Sequence, residues 1–375
     1  MPRPLGQLRV LLSSRVLLDL EEADKVYREK GVQGYTDYLR CEGEFTGQGD
    51  TALGGFRRLN KGPMFDVALA LSKLNVMSPD ANNPLVELGL SCKDEHDSAE
   101  AIMRNLAVSD IGPALEWEVA TNGHAVNASI HKAFKTDLFL TRSAADAQTA
   151  VDLGIASAVI NFPPEGTYDF DGAGPVRIIV DGDAVAFGDS AEVGFRRDVA
   201  GNKDYGQAVL QYKEREHAEV DKLIEPGPFT VVLAKISAIN KLFPPKEAPF
   251  EIGLLTARGG RATGRALATL RAHGVFFNYP SGFMGGADKG EWLEAHKPHL
   301  FLDDQITHLN RGMVFCPTGL VPYKTGGAMN LYQMELKNAS PVFEAAAQGK
   351  APVIEQDNVN RGPWPFPKSP DHQPG

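Results

Sequence analysis

The chain has 375 residues, 43% of them hydrophobic, enough for a sizeable core and, at the usual ~100 to 200 residues per domain, for two or three domains. Its formal net charge of −10, from 38 basic and 48 acidic residues, excludes the basic stripe of a nucleic-acid surface but leaves a small charged ligand open. Cys41, Cys92 and Cys316 are too scattered for a disulfide framework or a zinc site and point to a reducing, cytoplasmic compartment.

In chain order, the opening "MPRPLGQLRVLLSSRVLLDLEEADK" carries Arg9 and Arg15 within its apolar stretch, so it reads as strand then helix rather than as a signal peptide. No apolar run approaches the ~18 residues of a membrane span. Short apolar runs follow at "FDVALALS", "TDLFLT", "SAVINF", "VRIIVD", "FEIGLLTA", "GVFFNY", "HLFLDD" and "GMVFCPT", flanked by glycine, proline or polar clusters. Amphipathic stretches such as "AADAQTAVDLG" and "GRALATLRAHG" lie between many of them. Alternating strands and helices predict a layered α/β fold with a mostly parallel, buried sheet.

Two halves can be laid beside each other. "RVLLSSRV" from Arg9 resembles "RIIVDGDA" from Arg177, "FDVALALS" resembles "FEIGLLTA", and "KTDLFLTRS" resembles "KPHLFLDDQ", in the same order. The predicted organisation is an N-terminal α/β domain over 1–165 that would be the degenerate copy, a catalytic α/β domain over 166–335, and a Pro-rich tail over 336–375 containing Trp364 and Phe366. Residues 187–249 read as a helical cap inserted after the first strand of the second half.

Chemistry concentrates in that half, at or just beyond strand ends, where open α/β sheets bind ligands. "RIIVDGDAV" ends a strand in Asp181 and Asp183, which repel unless a cation or a proton compensates them. Thr256 ends "FEIGLLT" and can donate to a phosphoryl oxygen. Lys289 follows a glycine-rich loop, and Asp303 and Asp304 end "HLFLDD". Such a cluster of hard oxygen ligands suits Mg²⁺. Arg258 is a candidate for holding a phosphate or ribose. Phe187, Phe195, Tyr212, Phe277, Tyr279 and Phe283 are candidates for stacking on a base, and Asn122 and His124 lie in a polar glycine loop that the repeat places opposite "GGADKG".

The order "DGDAV", Thr256, Lys289, "DD" resembles the four motifs of the haloacid dehalogenase superfamily of phosphotransferases. "RIIVDGDAVAFGDSAE", "LLTARGG", "RALATLRAHG", "GADKG" and "KPHLFLDDQITH" are similar, more narrowly, to the cytosolic 5′-nucleotidase type I family, as are "LLSSRVLLDLEEADKVY", "FDVALALS" and "FKTDLFLT", so the likeness covers residues 8–325. The resemblance implies a HAD-like fold with Asp181 as nucleophile and Asp183 as the acid that protonates the leaving oxygen and then activates water. It implies that Thr256 and Lys289 hold the phosphoryl group, and that Mg²⁺ is bound by Asp181, Asp183 through its backbone carbonyl, Asp303 and, directly or through a partner, Asp304. Val185 stands where many superfamily members have threonine, a replacement this family commonly shares. The implied substrate is a nucleoside monophosphate such as AMP or IMP, with no nucleic-acid polymer and no membrane, and a homo-oligomer is compatible. A phosphatase for sugar phosphates and a non-catalytic nucleotide-binding regulator are the alternatives.

Overall fold

The computed structural model describes residues 7–339, apart from 81, 165–167, 169, 202–204 and 286; most of the Pro-rich tail, with Trp364 and Phe366, lies outside the described residues. The expected α/β architecture is present. The first half contributes β1 (Leu8–Ser13), α1 (Ser14–Leu17), α2 (Glu21–Arg40), α3 (Phe65–Lys73), β2 (Val86–Cys92), α4 (His96–Ala107), β3 (Leu115–Ala120), α5 (Ala128–Phe134), β4 (Leu138–Thr141), α6 (Ala144–Asp152) and β5 (Ala156–Asn161). The second contributes β6 (Val176–Val180), α7 (Ser190–Gly201), α8 (Tyr205–Ala218), α9 (Thr230–Asn240), β7 (Phe250–Thr256), α10 (Thr263–Ala272), β8 (Gly282–Phe283), α11 (Gly290–His296), β9 (Leu300–Asp303), α12 (Ile306–Gly312), β10 (Thr318–Leu320) and α13 (Ala328–Ala339).

All ten strands form one sheet in the order β3-β2-β1-β4-β5-β10-β9-β6-β7-β8, parallel throughout except where β5 meets β10. Helices cover both faces, so central strands such as "VRIIV" and "LFLD" are apolar over most of their length, the exceptions being Arg177 near the start of one and Asp303 at the end of the other. The edge strand β3, "LEWEVA", instead alternates half-buried and exposed residues.

Each half repeats one topology, with the first strand central and the second and third on one side of it, the fourth and fifth on the other. The side chains repeat as well. Arg9 pairs with Glu87 across β1 and β2, and Arg177 pairs with Glu251 across β6 and β7. Asn75 and Asn240 each use their amide to accept from and donate to the first backbone groups of the following strand, Val86 and Phe250. Lys135 and Lys297 end the equivalent helices α5 and α11 in the left-handed conformation, with φ of 58° and 40°.

This geometry corrects one match made from sequence. "FDVALALS" is helix α3, and "VELGLS" in β2 is the strand equivalent to "FEIGLLT"; α3 corresponds to α9. The cause is that α3 buries Phe65, Val67, Ala68, Leu69, Ala70 and Leu71, nearly its whole circumference, and a short run apolar on all sides has no period that separates helix from strand. Likewise "GVFFNY" is irregular chain before β8, and "GMVFCPT" is mostly turn before β10. In the predicted cap segment α7 and α8 form a helical pair, whereas α9 buries Val232, Leu233, Ile236 and Ile239 in the main core.

Burial holds the His131 ring near pKa 4, with its Nδ1 3.1 Å from the Thr136 hydroxyl and the whole residue 2% exposed. His299, whose Nδ1 accepts from the Arg177 N–H at 2.9 Å, is likewise lowered to about 4, by burial and by Arg177. The folded chain therefore excludes protons that the unfolded chain binds below its ordinary imidazole pKa of about 6.5. Both contributions are complete above that pH and are lost as pH falls towards 4. For His131 the difference amounts to at most about 3 kcal/mol. Urea unfolding at pH 7 and 4.5 is expected to show a loss on acidification that is smaller in His131→Gln; equal losses would remove His131 from the account.

Candidate active site

The central strand β6 leads into Asp181, whose backbone N–H donates to the Leu302 carbonyl of β9 at 2.8 Å and so ties two strand ends together. A tight turn follows. Gly182 is required there, because a Cβ would lie 2.8 Å from Thr256 Oγ1 and 3.1 Å from the Phe187 ring. Ala184 takes a left-handed backbone, φ 61° and ψ −2°, an unfavourable conformation for a residue with a Cβ and one often retained at functional sites. The turn sets Gly182 against the Thr256 hydroxyl and places Asp183 in the wall of a cavity.

Lys289, 2% exposed, reaches Asp181 Oδ1 at 2.9 Å and Asp303 Oδ2 at 2.7 Å. Asp181, Asp303 and Asp304 are all buried, and a set of their carboxylate oxygens, one from each, lies within 4.8 Å of one another. Burial pushes the Asp181 carboxyl up to about 6, with Lys289 opposing and Asp303 adding to the rise. Burial acts the same way on Asp303, but there Lys289 and His308 prevail and hold it near 2. Asp304 is raised well above the usual carboxylate range by burial and by its two acidic neighbours.

These residues fit a divalent cation. Three buried carboxylates share one buried ammonium, and Asp304 Oδ1 has no hydrogen-bond partner among the described residues, while its Oδ2 accepts from the Tyr323 hydroxyl. Such an orphaned buried oxygen is costly unless a proton or a cation meets it. The donor set, all oxygen, is of the kind that Mg²⁺ takes.

Above the cluster opens a cavity of about 280 Å³ lined by Asp183, Arg258, Lys289 and His308 below, and by Phe195 and Tyr212 of the helical pair above. Arg258 engages Asp183 through two nitrogens, Nε to Oδ2 at 2.9 Å and Nη2 to Oδ1 at 2.7 Å, and its third nitrogen donates to Glu216 of α8. Arg265 also donates to Glu216, at 2.8 Å. The helical pair is thus latched over the site through a fully buried carboxylate.

Of the residues singled out from sequence, the fold brings Asp181, Asp183, Thr256, Arg258, Lys289, Asp303 and Asp304 together. Arg258 is not a free guanidinium waiting for substrate, since all three of its nitrogens are engaged and it is 2% exposed. Phe187 is fully buried in the core beside Arg258, leaving no open face for a base. The Asp183 side chain lies outside the carboxylate cluster, held by Arg258. Asn122 and His124 are exposed on the loop after β3, on either side of Gly123, which lines a different cavity; neither of the two lines that cavity or the one above the carboxylate cluster. Phe277, Tyr279 and Phe283 are not among the residues lining the cavity.

Glu216, Tyr323 and His308 went unnoticed in the sequence. Glu216 sits in "YKEREHAE", where nothing distinguishes one buried glutamate from its solvated neighbours. His308, 3.1 Å from Asp303 Oδ2, had a local signal in its position one helical turn beyond "DDQ".

A family model described as 5′-nucleotidase matches residues 1–328. One curated relative, cytosolic 5′-nucleotidase 1B of Homo sapiens, is 26% identical over 324 residues, which cover 82% of this chain and 47% of the relative. The chain therefore spans about half the length of the curated relative it matches. No solved structure matches it significantly.

Proposed function

The chain belongs to the 5′-nucleotidase family, and from that premise we propose that it hydrolyses nucleoside 5′-monophosphates to nucleoside and phosphate, with Mg²⁺, in the cytoplasm. The observation that carries this reading is the Lys289 ammonium bridging Asp181 and Asp303 next to an orphaned Asp304 oxygen. Three buried carboxylates beside one buried ammonium leave a surplus of negative charge that a divalent cation would offset.

Asp181 attacks phosphorus and the bond to the nucleoside 5′-oxygen breaks, giving an aspartyl phosphate. Asp183, oriented by Arg258, gives its proton to the departing oxygen, then takes one from the water that cleaves the acyl phosphate. Thr256 and Lys289 hold the transferring oxygens. Asp181, Asp303 and Asp304 would hold Mg²⁺, which would supply charge neutralisation on the phosphoryl group. Phe195 and Tyr212 form the apolar wall for the base.

Phosphate release measured across purine and pyrimidine monophosphates and sugar phosphates, with Mg²⁺ and with EDTA, tests this. Turnover of nucleotides only with the metal is expected. Preference for sugar phosphates would move the substrate class, and metal-dependent binding without turnover would leave a nucleotide-binding regulator.

Gly182→Ala checks the turn. Its Cβ would displace Thr256 by some tenths of an ångström, so kcat is expected to fall about 100-fold, the cost of a small misplacement at a reacting centre. Steady-state kinetics with a wild-type kcat would mean that the turn relaxes without moving the hydroxyl.

A further inference from the structure

The first half carries a second cavity, of about 460 Å³, at the C-terminal ends of β1, β2 and β4, the place topologically equivalent to the catalytic one. The repeat sets Ser13 where the second half has Asp181, Arg15 where it has Asp183, Thr141 for Asp303 and Arg142 for Asp304. All four line the cavity. Three carboxylates that would need a cation have become two hydroxyls and a guanidinium, so the site has changed from one that binds metal to one that donates hydrogen bonds.

Three of its polar atoms are unfilled. Ser91 is 1% exposed, lines the cavity, and its Oγ has no partner among the described residues; the buried Ser13 Oγ and Arg15 Nε have none either. The two arginines meanwhile grip a carboxylate of the chain itself. Glu21, at the start of α2, accepts through Oε1 from Arg15 Nη2 at 3.3 Å and from Arg142 Nη2 at 2.9 Å. An exposed carboxylate from outside the lining thus holds two guanidinium groups that line the cavity, and would compete with a ligand anion for them.

The cavity's own acids are largely committed. Lys93 pairs with Asp146 at 3.0 Å, Arg15 pairs with Asp24 at 3.3 Å, and the Cys92 thiol donates to Asp94. Glu95 is exposed at the rim.

We propose that this cavity is a second ligand site, which takes a phosphate group, free or carried by a nucleoside, by displacing Glu21 from Arg15 and Arg142 and filling the Ser13 and Ser91 hydroxyls. With no carboxylate at position 13 it binds the group without cleaving it.

Equilibrium dialysis of the full chain in EDTA, with inorganic phosphate in one arm and AMP in the other, tests the site. Arg142→Gln is expected to remove one bound ligand per chain. Glu21→Gln, an exposed change that leaves folding intact, is expected to tighten that ligand's binding on the order of 10-fold, by freeing two charged donors. The arm that shows the effect identifies free phosphate or the nucleotide as the ligand. The count distinguishes this site from the catalytic one whether or not the second half hydrolyses esters. If Arg142→Gln leaves the number of bound ligands unchanged, or if Glu21→Gln leaves affinity unchanged in both arms, there is no second site.

Discussion

Asp181→Asn is expected to reduce phosphate release from a nucleoside monophosphate by about 10⁴-fold or more, the scale on which loss of a catalytic nucleophile is felt. An amide oxygen is neutral and far less nucleophilic than a carboxylate, so the proposed covalent half-reaction would have no substitute at this position. The exchange is nearly isosteric in a residue only 4% exposed, and it removes one of two negative charges next to Lys289. The variant should therefore fold, and unfolding in urea should show it no less stable than the wild type. Rapid-quench labelling with a ³²P-labelled monophosphate should give a phosphorylated wild-type chain and none in the variant. Turnover within tenfold of wild type would remove Asp181 from the chemistry.

Lys289→Met is expected to damage stability as well as turnover. The ammonium is buried and contacts two buried carboxylates. Burial alone would lower its pKa, but Asp181 and Asp303 outweigh that and raise it, so Lys289 carries a full charge at neutral pH. Removing one partner of such a cluster leaves uncompensated charge in the interior, at a cost of about 3 to 5 kcal/mol. The loss should be reduced by added Mg²⁺, because a cation bound by Asp181, Asp303 and Asp304 meets the same carboxylates; wild-type protein should respond less. Urea unfolding with and without the metal reads both effects. A variant as stable as wild type in EDTA would show that the carboxylates become protonated at little cost, and that Lys289 is dispensable to the fold.

The acids were readable because strands buried on both faces are apolar over most of their length. A carboxylate at the end of "RIIV" or "LFL" therefore marks the point where the chain leaves the sheet, the side on which ligands bind. The same regularity made the α/β class and the existence of a repeat legible. Three local signals, at Asp181, Thr256 and Asp303, each at a strand end, needed only parallel pairing to converge.

The register of the repeat was a different matter. "FDVALALS" looked like a strand because burial around its whole circumference erased the helical period, and only the sheet showed that "VELGLS" takes that role. What Arg258 does was also beyond sequence. Its partners, Asp183 and Glu216, lie 75 and 42 residues away, and a guanidinium free to meet substrate has the same sequence as one already occupied. Apolar patterning is set by each residue's own transfer from water and is written locally. The pairing of buried charges depends on which distant elements pack together, so it exists only once the tertiary structure has formed.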